Sequence, residues 1–397
     1  MRRNPGPGVA SHPNPVAEAK RLWPPESHRH QLLSRQVSRR QGSTAGASWR
    51  HASPAPHPLI GRSGRLRAPL TAHLTDSLRF VTDNEFDRLN REFYATKPST
   101  YFRDRLTLLA FRAVKSDELA GVLGDGLAWG SLRIVPDNAE ATEEEQSKLV
   151  AEQERFVVTE SQILVHHAAE ALLRMFLAHE GNPECPWLRM SALMNVAEFR
   201  KEAKELAKSA WPREREAAAG WVFLGGVPSD PSAEWIEHRD ASVRLLRILA
   251  QRVNGDKNLY NSAKHGLTAL GGVGSLHFIP AEPGAPTPDF TAGLITREAL
   301  LGVEGVNVTY LEREGSQKTG FTWFHKTQWI NPEKAAWLTH LAVIQMEALW
   351  AVAKWHYLDE PPQGVQVVAS EALDALKDFP RGGAVQSFRR SVATETV

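Results

Sequence analysis

The residues best suited to chemistry stand in one short stretch, 258–267, which reads NLYNSAKHGL. Two asparagines, a lysine and a histidine fall between Asn258 and His265, and Gly266 follows at once. On a helix, Asn258, Asn261 and His265 lie within about 60° of one another. Asparagine is a poor helix former, so two on one stripe suggest that something specific is being hydrogen-bonded. The same residues also suit a helix end. Lys264 and His265 would meet the last carbonyls, and Gly266 would follow as the left-handed residue. Leu259, Tyr260 and Ala263 face elsewhere and are expected to pack.

A second polar set lies upstream. Projected on a helix, Thr159, Glu160, His166, His167, Glu170 and Arg174 share one side, and Val157, Leu164, Val165, Ala168, Leu172 and Met175 share the other. Such a stripe either faces solvent or turns toward Asn261 and His265 inside a bundle. The second arrangement is the expectation. Amides and an imidazole serve best where they satisfy carboxylates whose unpaired burial would cost several kcal/mol. It predicts His265 mostly buried, with His265 or Asn261 within hydrogen-bond reach of a glutamate on this helix. A metal site is a weaker reading. His166, His167, Glu170 and His265 are suitable ligand types, but di-iron bundles repeat Glu-x-x-His on two helices. Here the order is reversed, His167-Ala-Ala-Glu170, and occurs once.

The elements that must position these groups are largely helical. A helix containing Phe102, Leu106, Leu109 and Val114 is expected to end at Gly121, and AWGSLRIVPD reads as a short strand or loop. Thr142 with Glu145 forms a capping box, which opens a long helix to His179, with Gly181 and Pro183 beyond its end. Further helices are expected over 187–209 and from Ser232 to Asn254-Gly255, then a short one ending at Gly266. The period changes after that. GSLHFIP, GVNVTYLERE and TGFTWFHKTQWI are rich in β-branched and aromatic residues, and GSQKTG between the last two reads as a hairpin loop. Asn331-Pro332 opens a last long helix to about Tyr357. A weak helix near 369–378 and a frayed tail fill 361–397. The fold class predicted is mainly α, a helical bundle over 74–360 with a small antiparallel insertion at about 273–330.

Charge divides the chain differently. Residues 1–73 hold 12 Lys+Arg against 2 Asp+Glu, and the remaining 324 hold 35 against 44. The first segment is rich in Pro, Gly, Ser, Arg and His, with apolar residues scattered singly, so it is expected to be disordered. A basic tail can bind nucleic acid or an anionic surface, it faintly resembles a transit peptide, or true translation starts near residue 74. With one cysteine, Cys185, no intrachain disulfide forms. No apolar run of membrane length and no secretory signal are evident, so a cytoplasmic location without membrane contact is expected.

The pair FVVTESQILVHHAAEALLRMFLAHE and NLYNSAKHGL, within about residues 150–270, resembles the HEPN group of helical proteins. That resemblance implies a small bundle, often dimeric. Many members are ribonucleases of toxin–antitoxin or anti-phage systems, and others are non-catalytic binding modules. The group's signature is Arg, four to six residues, then His, which Arg174-Met-Phe-Leu-Ala-His179 fits, although Met175 stands where a polar residue is usual. The implied chemistry is cofactor-free RNA cleavage. His265 would be the general base, Lys264 or Arg174 would stabilise the phosphorane, Asn261 would orient the phosphate, and Glu170 would hold the histidine. RNA is then the expected partner, with a homodimer or a partner protein as others. The alternative function is a non-catalytic helical interaction protein, and a metal-dependent enzyme comes third.

Overall fold

The computed structural model describes residues 83–113, 127–129, 132–134, 142–264, 268–278, 301–316, 320–379 and 387–392. Segment 1–73, His265, Gly266 and residues 114–121 of the helix expected to end at Gly121 lie outside them. The protein is mainly helical with a four-stranded antiparallel sheet. In chain order the elements are α1 (Asp83–Tyr94), α2 (Pro98–Ala113), a small hairpin of β1 (Leu127–Trp129) and β2 (Leu132–Ile134), α3 (Glu143–His179), α4 (Pro186–Ala192), α5 (Val196–Leu206), α6 (Arg213–Leu224), α7 (Ala233–Gly255), α8 (Lys257–Ala263), β3 (Ala269–Phe278), β4 (Leu301–Ser316), β5 (Gly320–Trp329), α9 (Pro332–Leu358), α10 (Ser370–Asp374) and β6 (Ser387–Ser391).

Two long helices make the centre. α3 starts where its sequence says it should: the Thr142 hydroxyl accepts from the Glu145 N–H, and the Glu145 carboxylate accepts from the Thr142 N–H at 2.8 Å. α9 starts at Asn331, whose side chain accepts from the Lys334 N–H at 2.8 Å, with Pro332 in the first turn. Leu164, Val165, Ala168, Leu172 and Phe176 of α3 pack with Leu338, Leu341, Ala342, Met346 and Leu349 of α9 in the main core, and α7 adds Leu245, Leu246 and Leu249. α9 is apolar nearly all round because it is surrounded. It is also long and apolar enough to cross a bilayer, which the sequence reading overlooked, but two thirds of that stretch is buried within the protein.

The sheet runs β3-β4-β5-β6, each pair antiparallel. One face seats on α8 and α3 through a second small core of Val158, Leu259, Ala263, Ala269, Val308 and Tyr310. β3 passes so close to α3 that a Cβ on Gly271 would lie 2.9 Å from the Arg155 carbonyl oxygen. The β4–β5 hairpin is framed by Gly315 and Gly320, both at positive φ (106° and 77°), a conformation that glycine adopts without steric cost.

Several expected boundaries differ. The helix expected over 187–209 is two, because the Asn195 side chain accepts from the N–H groups of Ala197 and Glu198 and starts α5 afresh. α6 was not anticipated, although Gly225 at φ 82° marks its end. α8 stops at Ala263. The weak helix expected near 369–378 is α10, and the tail expected to fray beyond it contains β6, which pairs with β5 at the sheet edge.

Candidate functional site

The polar stripe of α3 meets two other helices. α2 brings Arg105, whose guanidinium pairs with Glu160 and approaches His167 Nδ1 at 3.2 Å. α8 brings Tyr260, whose hydroxyl lies 2.7 Å from His167 Nε2. A guanidinium only donates, so His167 Nδ1 accepts from Arg105. The imidazole is therefore neutral with its proton on Nε2, and it donates to the Tyr260 oxygen. The Tyr260 ring also lies flat on His166, with centroids 4.0 Å apart and planes 8° apart. His166 Nε2 stands 3.6 Å from Glu170 Oε1, and Glu170 Oε2 accepts from Arg174 Nη1 at 2.9 Å. Arg174 in turn lies over the Phe199 ring at 4.0 Å.

The electrostatics follow from these contacts. Burial first, then the Arg105 charge, lowers the His167 pKa, with Glu170 partly opposing them. Burial pushes the Glu170 carboxyl up, but the His166 hydrogen bond and the Arg174 charge outweigh it and hold the pKa at about 2. Burial, then the Glu170 charge, raises the Tyr260 phenol. At neutral pH the network therefore holds an ionised Glu170 and a neutral His167.

Beside the network lies a cleft of about 380 Å³. His167, Glu170 and Arg174 form its polar wall, facing an aromatic and sulfur-rich lining that includes Tyr101, Phe102, Met190 and Met194. Met194 and Tyr101 are exposed at its rim. The size and the mixture of an apolar bed with a few convergent polar groups suit a small planar ligand or one unit of a polymer.

The residues singled out from sequence divide. Glu170 and Arg174 are brought together in the cleft wall. Glu170 does hold a histidine, but it is His166; His265 lies outside the described residues. Lys264 is exposed, with Nζ 5.5 Å from the Tyr260 ring centre. Asn261 is exposed and makes no hydrogen bond to a glutamate of α3 among the described residues. The 258–264 segment does face α3, but through Tyr260, which was expected to pack elsewhere, while Asn258 bonds to Glu312 of β4. The Arg174-to-His179 pairing does not form a site. His179 is buried at 3% exposure, with Nδ1 donating to the Met175 carbonyl at 2.6 Å and Nε2 accepting from the Tyr94 hydroxyl at 2.8 Å. Nor is the α3 stripe solvent-facing, since His166 is only 2% exposed.

Sequence reasoning missed Arg105 and Tyr260. Arg105 carried a local signal, an i,i+4 relation to Tyr101, whose hydroxyl accepts from it at 3.0 Å. Tyr260 carried one too: it sits among the amides it was set apart from. Among the described residues no group of three His, Cys, Asp or Glu side chains is placed to hold a metal ion. No protein family, no curated protein and no solved structure matches the chain.

Proposed function

We propose that the protein is a HEPN-like RNA-binding protein that cleaves RNA without a metal, and that the α3 cleft is its active site. The observation that carries this reading is the Arg105–His167–Tyr260 chain: a neutral imidazole between a guanidinium and a phenol, at the wall of a cleft that Arg174 also lines and that has an aromatic bed. His167 replaces His265 as the general base. In the free protein Arg105 covers the Nδ1 lone pair. When Arg105 turns to a phosphate oxygen, Nδ1 is left to take the ribose 2′ proton. The 2′ oxygen attacks phosphorus, the bond to the 5′ oxygen breaks, and that oxygen takes a proton from water. The products are a 2′,3′-cyclic phosphate and a 5′-hydroxyl. Arg174 and Arg105 stabilise the charge that builds on the phosphorane.

The test is incubation of the protein with single-stranded RNA in EDTA, with the product ends identified. Cleavage should survive EDTA, and His167→Gln should slow it by roughly 10²- to 10⁴-fold. RNA left intact by the folded wild-type protein sinks the cleavage reading. The second reading, a non-catalytic binding module, is favoured by one observation: both ring nitrogens of His167 already have partners. Binding without cleavage would establish it.

A further inference from the structure

The sheet has a face that the helices do not use. Strand pairing fixes which residues share it. Leu270 of β3, Leu311 and Arg313 of β4, Phe321, Trp323 and His325 of β5, and Phe388 and Arg390 of β6 alternate away from α3 and α8. On this face Leu270 is 70% exposed, Leu311 53%, Phe321 42% and Trp323 40%. Arg313 lies across the two rings, 4.2 Å from the Phe321 centroid and 5.7 Å from that of Trp323. Gly272, two residues along β3 from Leu270, leaves open space on the same face, with no atom within 4 Å of where a Cβ would stand.

The charges are sorted by face. β4 carries Glu304, Glu312 and Glu314 at even positions, on the helix-facing side, and Arg313 at an odd one. The cations that pair with two of those carboxylates are on the inner side as well: Lys326 stands 3.6 Å from Glu312, and Arg389 stands 2.6 Å from Glu314. Among the described residues of the four strands, no Asp or Glu points outward, and Arg313 and Arg390 do. Residues 74–397, with 35 basic against 44 acidic side chains, would repel a polyanion in general. This face is a local exception, positive and ringed with flat apolar groups.

We propose that the outer face of the sheet binds single-stranded RNA, with bases on Trp323, Phe321 and the exposed leucines and phosphates on Arg313 and Arg390. Charge complementarity selects this occupant. A second copy of the sheet would set the same arginines against each other. An acidic peptide would satisfy the arginines but leave the rings without a stacking partner. A strand of RNA offers both a charge at each phosphate and a π-face at each base. The inference rests on the reading of the protein as RNA-acting.

The experiment is fluorescence anisotropy of a 5′-labelled 12-nucleotide RNA with the full-length protein in EDTA, at several salt concentrations. Trp323→Ala should weaken binding by roughly 5- to 50-fold, the range of one stacked base. Arg313→Gln should weaken it and reduce the salt slope by about one. Arg389→Gln, on the inner side of the same sheet, should leave affinity within about twofold. If the variants fail to fold, photocrosslinking of the wild type to 5-iodouridine RNA decides: the crosslinked peptide should contain residues 320–326. Wild-type affinity in Trp323→Ala and Arg313→Gln, or crosslinks elsewhere, overturns the proposal. So does equal displacement of the RNA by polyglutamate, or a self-association that Trp323→Ala abolishes while RNA affinity stays unchanged. The cleft reading fails separately, through loss of EDTA-resistant cleavage with this binding intact.

Discussion

His179 is where pH should act on stability most directly. Its Nδ1 proton is fixed on the Met175 carbonyl and its Nε2 accepts from Tyr94, so a second proton has no place. Burial lowers its pKa to about 4, against the Met175 hydrogen bond, with the charges of His356 and Arg189 helping. The unfolded imidazole titrates near 6.5. Between those values the unfolded chain binds a proton that the folded chain refuses. Stability therefore falls as pH drops from 6.5 to 4, and this loss levels off below 4, for a total of about 3 kcal/mol. His167 and His356 are lowered too, burial first in each, so they add to the slope. Urea unfolding at pH 7, 5.5 and 4.5 should show a shallower fall for His179→Gln than for the wild type. An unchanged slope would mean that His179 is not the buried neutral group described. The site's legibility stops at the same scale. Glu170 and Arg174 were readable because helical spacing alone puts them side by side. Arg105 was not, because its partners Glu160 and His167 are 55 and 62 residues away.

Elements were legible where the chain carries its own punctuation. The Thr142–Glu145 box, Asn331-Pro332 and the Gly315/Gly320 frame each act within a few residues, and each marks the boundary the sequence predicts. Asn195 is the same kind of signal, passed over inside a helical pattern. β6 is a different matter. Ser-Phe-Arg-Arg-Ser has little intrinsic strand character, and its conformation comes from pairing with β5, whose sequence lies about 60 residues earlier. The contact of β3 with α3 is also set from outside the strand, and it makes a prediction. Gly271 sits against the α3 backbone, with the Arg155 carbonyl oxygen 2.9 Å and Thr159 Oγ1 3.0 Å from a would-be Cβ. Backbone in mid-helix cannot yield, so Gly271→Ala must push β3 away from Val158 and Ala263. The cost should be about 1–3 kcal/mol by thermal or urea unfolding. Gly272→Ala, one residue along in open space, should cost less than about 1 kcal/mol. Equal effects at the two glycines would show that strand propensity, not close approach, governs both.

At the scale of the whole molecule the sequence divides into two unlike parts, and a protease can see the division. Residues 1–73 carry 12 basic side chains among scattered apolar ones, so a protease specific for Lys and Arg has many targets in a segment whose composition predicts no core. From Asp83 onward the chain enters helices tied into one core: Tyr94 is fully buried, the Trp350 indole donates to the Thr96 carbonyl at 2.7 Å, and Ser99 bonds to Glu347 of α9 at 3.0 Å. Cleavage within those helices must wait for local or global opening. Brief trypsin treatment of the full-length protein should therefore accumulate a fragment whose N-terminus lies near residue 75. Its melting temperature should match that of the uncut protein, because the composition of what was removed predicts no core. Its charge balance should become acidic, and nonspecific attraction to RNA at low salt should weaken with it, since that attraction scales with the cations available to phosphates. EDTA-resistant cleavage by the trimmed protein should persist, because Arg105, His167 and Arg174 all remain. N-terminal sequencing and calorimetry of the fragment check the first two points. A full-length chain that resists trypsin, or a fragment that melts well below the parent, would show that the basic segment is part of the folded body.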